Sequence, residues 1–203
     1  MRVTAGKHRG RRLAIPAGRD VRPTSDRARQ ALFNILEHRG FRDGGGSLIR
    51  NAQILDAFAG SGALGLEALS RGAAHATFME TAAPALEAIR RNVEACREEG
   101  KSEILRVDAT RPPKARAACN IAFLDPPYRE GLAAPALAAL AAAGWLADSA
   151  ICCVELAADE DFSAPEGFEL LDERRYGAAR ILLLRFDSRR KRTDPTKQYK
   201  PDS

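Results

Sequence analysis

Beyond residue 52 the chain alternates between two kinds of apolar pattern. Short continuous runs at 53–58, 75–80, 104–107, 121–125 and 150–156 have the length of strands buried on both faces. Between them, 63–71, 82–97 and 132–143 predict helices, and in the second of these Leu86, Ile89 and Val93 form one apolar face. Two last runs, 168–175 and 179–186, flank a Tyr176-Gly177 turn and predict an antiparallel pair. This alternation predicts an α/β fold, a mostly parallel sheet with right-handed crossovers.

Upstream the pattern changes. Residues 3–16 read as a short β-hairpin turning at Lys7-His8-Arg9-Gly10. Thr24 and Ser25 then precede a helix predicted over 25–38, with a hydroxyl N-cap and Ala28, Leu32, Ile35 and Leu36 at helical spacing. A glycine-rich link at 40–47 leads into the main unit, and the charged, Pro-containing end at 188–203 is expected to stay disordered. The expected organisation is a basic extension at 1–46, a main domain at 47–187 and a basic tail at 188–203.

Charge adds a partner to this picture. The net charge of +5 divides unevenly, since residues 1–50 hold 12 Lys and Arg against 4 Asp and Glu, and residues 185–203 hold 7 against 3. A mildly acidic body with basic ends suits a polyanion, with Lys7, Arg9, Arg11 and Arg12 as the candidate phosphate contacts. Apolar runs are too short to span a bilayer, and the N-terminus leads into basic residues, so a cytoplasmic protein is expected. The four cysteines lack C-x-x-C spacing, and Cys152 and Cys153 lie inside an apolar run, which suits buried thiols; no metal is expected.

Two places carry candidate chemistry. The first predicted strand ends in Asp56-Ala57-Phe58-Ala59 and runs into Gly60-Ser61-Gly62-Ala63-Leu64-Gly65, a turn that lets backbone approach a ligand ahead of a helix. These glycines fit a dinucleotide fingerprint, and Glu80 at the end of the next strand can accept ribose hydroxyls of either NAD or S-adenosylmethionine. Asp56 separates the two, because a carboxylate attracts the cationic amino-acid end of S-adenosylmethionine and repels a pyrophosphate. Its plainer role is to cap the glycine loop. Asp108 and Ala109 follow the third strand, where Asp108 can accept from the adenine amine or simply cap a helix before Thr110.

The second place is Asp125-Pro126-Pro127-Tyr128, at the end of an apolar strand. An exocyclic base amine is a poor nucleophile because its lone pair is delocalised into the ring. The Asp125 carboxylate and Pro126 carbonyl can accept its hydrogens, Pro127 fixes the backbone, and Tyr128 can stack on an unstacked base.

Together with the N-terminal strings Val3–Leu13, Arg22-Pro23-Thr24-Ser25-Asp26-Arg27-Ala28-Arg29 and Leu32-Phe33-Asn34, and with Gly144-Trp145-Leu146, these motifs make the chain similar to bacterial 16S ribosomal RNA guanine-N2 methyltransferases. That family belongs to the class I amino-methyltransferases, and the resemblance covers residues 2–186. It implies a Rossmann-like, seven-stranded sheet with one antiparallel strand, and methyl transfer from S-adenosylmethionine to a guanine N2 of 16S rRNA in the small subunit or an assembly intermediate. It also implies that Arg22 and Thr24 fold over the methionine end of a cofactor held by Asp56, Phe58, Gly60, Gly62, Glu80, Asp108 and Ala109. Gln30 and Thr81-Ala82-Ala83 depart from the acidic residues often found there. A monomer is the expected state. The acceptor motif itself serves adenine N6 or cytosine N4 equally; an NAD oxidoreductase and a non-catalytic ribosome-assembly factor are the more distant readings.

Overall fold

The computed structural model describes residues 1–16, 26–38 and 46–189. The elements are α1 (Asp26–His38), β1 (Gln53–Ala57), α2 (Ala63–Ser70), β2 (His75–Glu80), α3 (Ala83–Cys96), β3 (Ser102–Arg106), β4 (Cys119–Leu124), α4 (Ala133–Ala142), β5 (Leu146–Ala157), β6 (Phe168–Tyr176) and β7 (Ala179–Phe186). They build one seven-stranded sheet in the order β3-β2-β1-β4-β5-β7-β6. Strands β1 to β5 run parallel, whereas β7 lies antiparallel between β5 and β6. The fold is therefore the Rossmann-like, class I arrangement expected of the sequence, with a single reversed strand.

The continuous apolar strands follow from burial on both faces. Ile54, Phe78, Ile121 and Phe123 enter a core packed under α1, α2 and α3. Their neighbours Leu55, Met79, Ala122 and Leu124 enter a second core with Leu137 and Leu140 of α4. The chain leaves β1 toward β2 and β3, then returns to β4 on the other side of β1, which makes β1/β4 the switch point of the sheet.

The N-terminal segment follows a hairpin path without forming two strands. One antiparallel bridge joins Arg2 to Arg12, and Gly6–His8 make a 3₁₀ turn. Side chains of the main domain replace the missing ladder. Glu67 of α2, fully buried, accepts from the Thr4 and Ala5 amides and the Thr4 hydroxyl, while Arg71 pairs with it at 2.8 Å. Asn92 of α3 exchanges two hydrogen bonds with the Ala14 backbone and donates a third to the Ser61 carbonyl. Val3 and Leu13 are buried in the same core as Leu32, Phe33 and Leu36 of α1, so the basic segment is stitched onto the main domain. The expected tail lies almost wholly outside the described residues, as does most of the glycine-rich link. Among the described residues no helix is long and apolar enough to cross a membrane.

Candidate active site

A cavity of about 630 Å³ opens at the carboxyl ends of β1, β2 and β4, the edge where parallel α/β sheets bind ligands. It is lined by Asp56, Phe58 and Gly60 from β1 and its loop, Glu80 from β2, Asp108 and Ala109 after β3, and Asp125 to Tyr128 after β4. The two motifs, separated by some sixty residues of sequence, thus meet in one space. Met1 and Pro16 of the N-terminal segment and Arg29 of α1 complete one wall.

The turn out of β1 is built for close approach. Phe58 has φ +62 and Gly60 φ +57, and the left-handed region is unfavourable for a bulky aromatic residue unless its surroundings impose it. Ala59 donates to the Met79 carbonyl at 3.0 Å, which ties the turn to β2. Gly62 belongs to the turn but does not line the cavity. Its φ is +75, and a Cβ there would sit 3.2 Å from the Phe78 ring.

The acidic side chains explain what such a cavity can hold. Asp56 accepts the Gly65 amide at 2.8 Å, and Glu80 accepts the Gly60 amide at 2.9 Å. Glu80 also takes the amides of Thr81 and Ala82 at 2.7 and 2.9 Å, at the entrance of α3. In dinucleotide folds the amides at this helix start receive a pyrophosphate; here the protein's own carboxylates occupy two of them. An incoming phosphate would meet negative charge and fewer free donors. Burial, opposed by the Gly65 hydrogen bond and reinforced by the Glu80 charge, pushes Asp56 up to about 7, and a cationic ligand end would offset that cost of burying its charge. Asp108 accepts the Thr110 amide and hydroxyl, both at 2.8 Å, which hold its carboxyl below the usual range. No helix follows it, so its cap is a turn. The acidic set and the apolar lining by Phe58, Met79, Val107, Ala109 and Leu132 fit a ligand with a cationic amino-acid end, a ribose and an aromatic base, as in S-adenosylmethionine.

At the other end Asp125 is partly exposed, Pro126 is buried and Pro127 is exposed. Tyr128 lines the cavity and donates its phenol hydrogen to Glu155 at 2.7 Å. Of the basic candidates, Arg9, Arg11 and Arg12 are exposed, whereas Lys7 pairs with Glu98 at 2.5 Å. Arg22 and Thr24 lie outside the described residues. The sequence motifs assign no role to Arg29, which ends one of the family strings, or to Glu67 and Glu155. Glu67 and Glu155 do carry a signal, since a carboxylate inside an apolar helix or strand must find partners when buried.

Known proteins share this architecture and much of the sequence. The protein named ribosomal RNA small subunit methyltransferase D from Haemophilus influenzae is 34% identical over 182 residues, 87% of this chain and 89% of its own. The protein of that name from Escherichia coli K12 is 40% identical over 156 residues, 76% and 74% of the two chains. The solved structure of yhhF from Escherichia coli superposes with a TM-score of 0.77 at 36% identity, covering 92% of this chain and 98% of the other. The family described as conserved hypothetical protein 95 matches residues 1–185, and the chain belongs to that family, together with relatives named as ribosomal RNA methyltransferases.

Proposed function

We propose that this protein transfers the methyl group of S-adenosylmethionine to the N2 amine of a guanine in 16S rRNA of the small ribosomal subunit. The observation that carries the reading is the shared cavity, which joins an acidic cofactor end at Asp56, Glu80 and Asp108 to the acceptor motif at Asp125-Pro126-Pro127-Tyr128. The names of the relatives support ribosomal RNA as substrate. The choice of guanine N2 over another exocyclic amine is supported by the family resemblance alone.

When bound, the cofactor supplies a methyl group made electrophilic by its sulfonium. Asp56 would hold the cationic end of the cofactor, Glu80 its ribose and Asp108 with Ala109 its base. Asp125 and the Pro126 carbonyl accept the two hydrogens of the target amine, which turns its lone pair toward the methyl group. As positive charge develops on that nitrogen, the fixed acceptors stabilise it and Asp125 can hold the proton that leaves. Tyr128 stacks on the base. The basic N-terminal segment grips RNA phosphates through Arg9, Arg11 and Arg12. The protein acts in the cytoplasm, as a monomer, on a ribosomal particle.

Mass-spectrometric mapping of small-subunit rRNA from a strain lacking this protein tests the reading. One N2-methylguanine is expected to vanish, to return with the wild-type gene and to stay absent with Asp125→Ala. A missing methyl group on adenine or cytosine would reassign the base, and an unchanged rRNA would refute the reading. Calorimetry is expected to show binding of S-adenosylmethionine and none of NAD.

A further inference from the structure

Glu155 lies in the last part of β5, among Ile151, Cys152, Cys153, Val154 and Leu156, and is only 7% exposed. Burying a carboxylate in such a strand costs free energy unless a specific hydrogen bond offsets it. One such bond is the 2.7 Å contact from the Tyr128 phenol. It crosses from β5 to the loop after β4 and holds the tip of a ring that lines the cavity beside Asp125 and Pro126.

The same ring is fixed at its backbone from both sides. Pro127 precedes it with a restricted φ. Arg129 follows in the left-handed region at φ +61, donates its amide to Glu160 at 2.9 Å and sets its guanidinium against both Asp159 oxygens, at 3.1 and 3.0 Å. The connection after β5 therefore clamps the exit of the loop, and Glu155 clamps the aromatic tip.

We infer that Glu155 is a positioning residue for the target base: it holds the Tyr128 ring as a preset stacking platform, and the phenol serves placement instead of proton transfer. The inference rests on the methyl-transfer reading above and extends it to a residue outside the acceptor motif. A ring already held in place spares the ordering cost that capturing an unstacked base would otherwise carry, so the effect belongs to RNA turnover and leaves donor binding alone.

The test measures methylation of small-subunit particles from the deletion strain, with donor affinity by calorimetry and melting temperature recorded for each variant. Glu155→Ala and Tyr128→Phe are each expected to lower kcat/KM for the particle about tenfold, the scale of one hydrogen-bonded stacking contact. The double variant should lose no more than either single one, because both remove the same bond. Glu155→Gln keeps an acceptor oxygen and should recover most of the rate. Donor affinity should stay within about twofold, because donor binding does not draw on the ring. If Glu155→Ala does not fold, Tyr128→Phe and Glu155→Gln carry the same comparison. Tyr128→Phe at the wild-type rate, or a double variant that loses the product of two single losses, overturns the positioning role. A wild-type protein that methylates no small-subunit rRNA refutes instead the reading beneath it.

Discussion

The Gly65 amide donates to Asp56 at 2.8 Å, so a buried carboxylate from β1 closes the first turn of the helix that follows it. The capping role and the ligand role of Asp56 are therefore compatible, since one oxygen holds the helix while the residue also lines the cavity. With its pKa pushed up to about 7, chiefly by burial, Asp56 is partly protonated at neutral pH. A cationic ligand placed beside it should draw that proton off. Calorimetry of S-adenosylmethionine binding in buffers of different ionisation enthalpy is expected to show proton release near pH 7, fading as pH rises and Asp56 ionises beforehand. Affinity should fall as pH drops below 7. Asp56→Asn should abolish the proton release and weaken binding about tenfold or more.

The same residue sets a pH dependence of folding. Its folded pKa of about 7 lies above the ordinary 3.8, so between these values the folded state holds a proton that the unfolded state has lost. Stability from this group accordingly falls as pH rises from 3.8 through 7. Asp56→Asn keeps an acceptor for the Gly65 amide but carries no charge. It should melt several degrees higher than wild type at pH 8, with the gap narrowing toward pH 5. Thermal melts at the two pH values check this, and a gap that widens on acidification would reverse the assignment.

Gly65 illustrates a different constraint on the same turn. A Cβ at this position would lie 2.4 Å from the Phe78 ring, which packs between β2 and α2. Gly65→Ala must therefore displace the ring or the helix, at a cost of about 1–3 kcal/mol in denaturant unfolding. Phe78→Leu should recover part of that loss in the double variant, although the single Phe78→Leu change is itself destabilising. Donor affinity should fall with stability, because the displaced helix carries the Gly65 amide that holds Asp56.

Most of this architecture is legible in the sequence because its local and global signals agree. The runs of β1, β2 and β4 are buried on both faces, whereas β3 at the sheet edge is only half-buried, and the helices end within a residue or so of the periodic patterns. The acceptor motif and glycine loop are legible because each concludes a strand at the same edge of the sheet. The N-terminal segment reads less well. Its hairpin signal is real, but its ladder is replaced by Glu67, Ser70 and Asn92, which lie far away in sequence with no local pattern that pairs them to the segment. Glu155 is half-legible for the same reason: a carboxylate in an apolar strand signals a need for partners, but nothing local names Tyr128 as one of them.

Gly6 shows how closely that segment sits on the domain. It has φ +78, and a Cβ would lie 1.9 Å from the Ser70 carbonyl oxygen at the end of α2. Ser70 in turn donates to the Ala5 carbonyl at 2.5 Å and accepts the His8 amide at 2.9 Å. Gly6→Ala cannot be absorbed by a side-chain shift, because the obstacle is backbone and the φ is strained. Limited proteolysis is expected to cut the variant within residues 1–16 while leaving the sheet resistant. Methylation should fall with it, since Met1 and Pro16 form part of the cavity wall.

Lys7, Arg9, Arg11 and Arg12 share a sequence motif but sit in different surroundings. The three arginines are exposed, whereas Lys7 and His8 both meet the buried Glu98, at 2.5 and 2.6 Å. Burial alone would raise the Glu98 pKa, but the hydrogen bonds and charges of these two neighbours bring it below the usual carboxylate range. Lys7 is thus already committed to a carboxylate and has less charge to offer a phosphate. Removing one cation that pairs with a phosphate should reduce the slope of log affinity against log salt by about 0.7–0.9. Neutralising the three arginines together should therefore weaken rRNA binding steeply at low salt and flatten the slope by about two to three. Lys7→Ala should change the slope by less than one arginine does and instead lower the melting temperature, by taking the Lys7 ion pair away from the buried Glu98, which also meets His8. Binding isotherms at several salt concentrations would show the contrast, and equal slopes for Lys7 and the arginines would refute it.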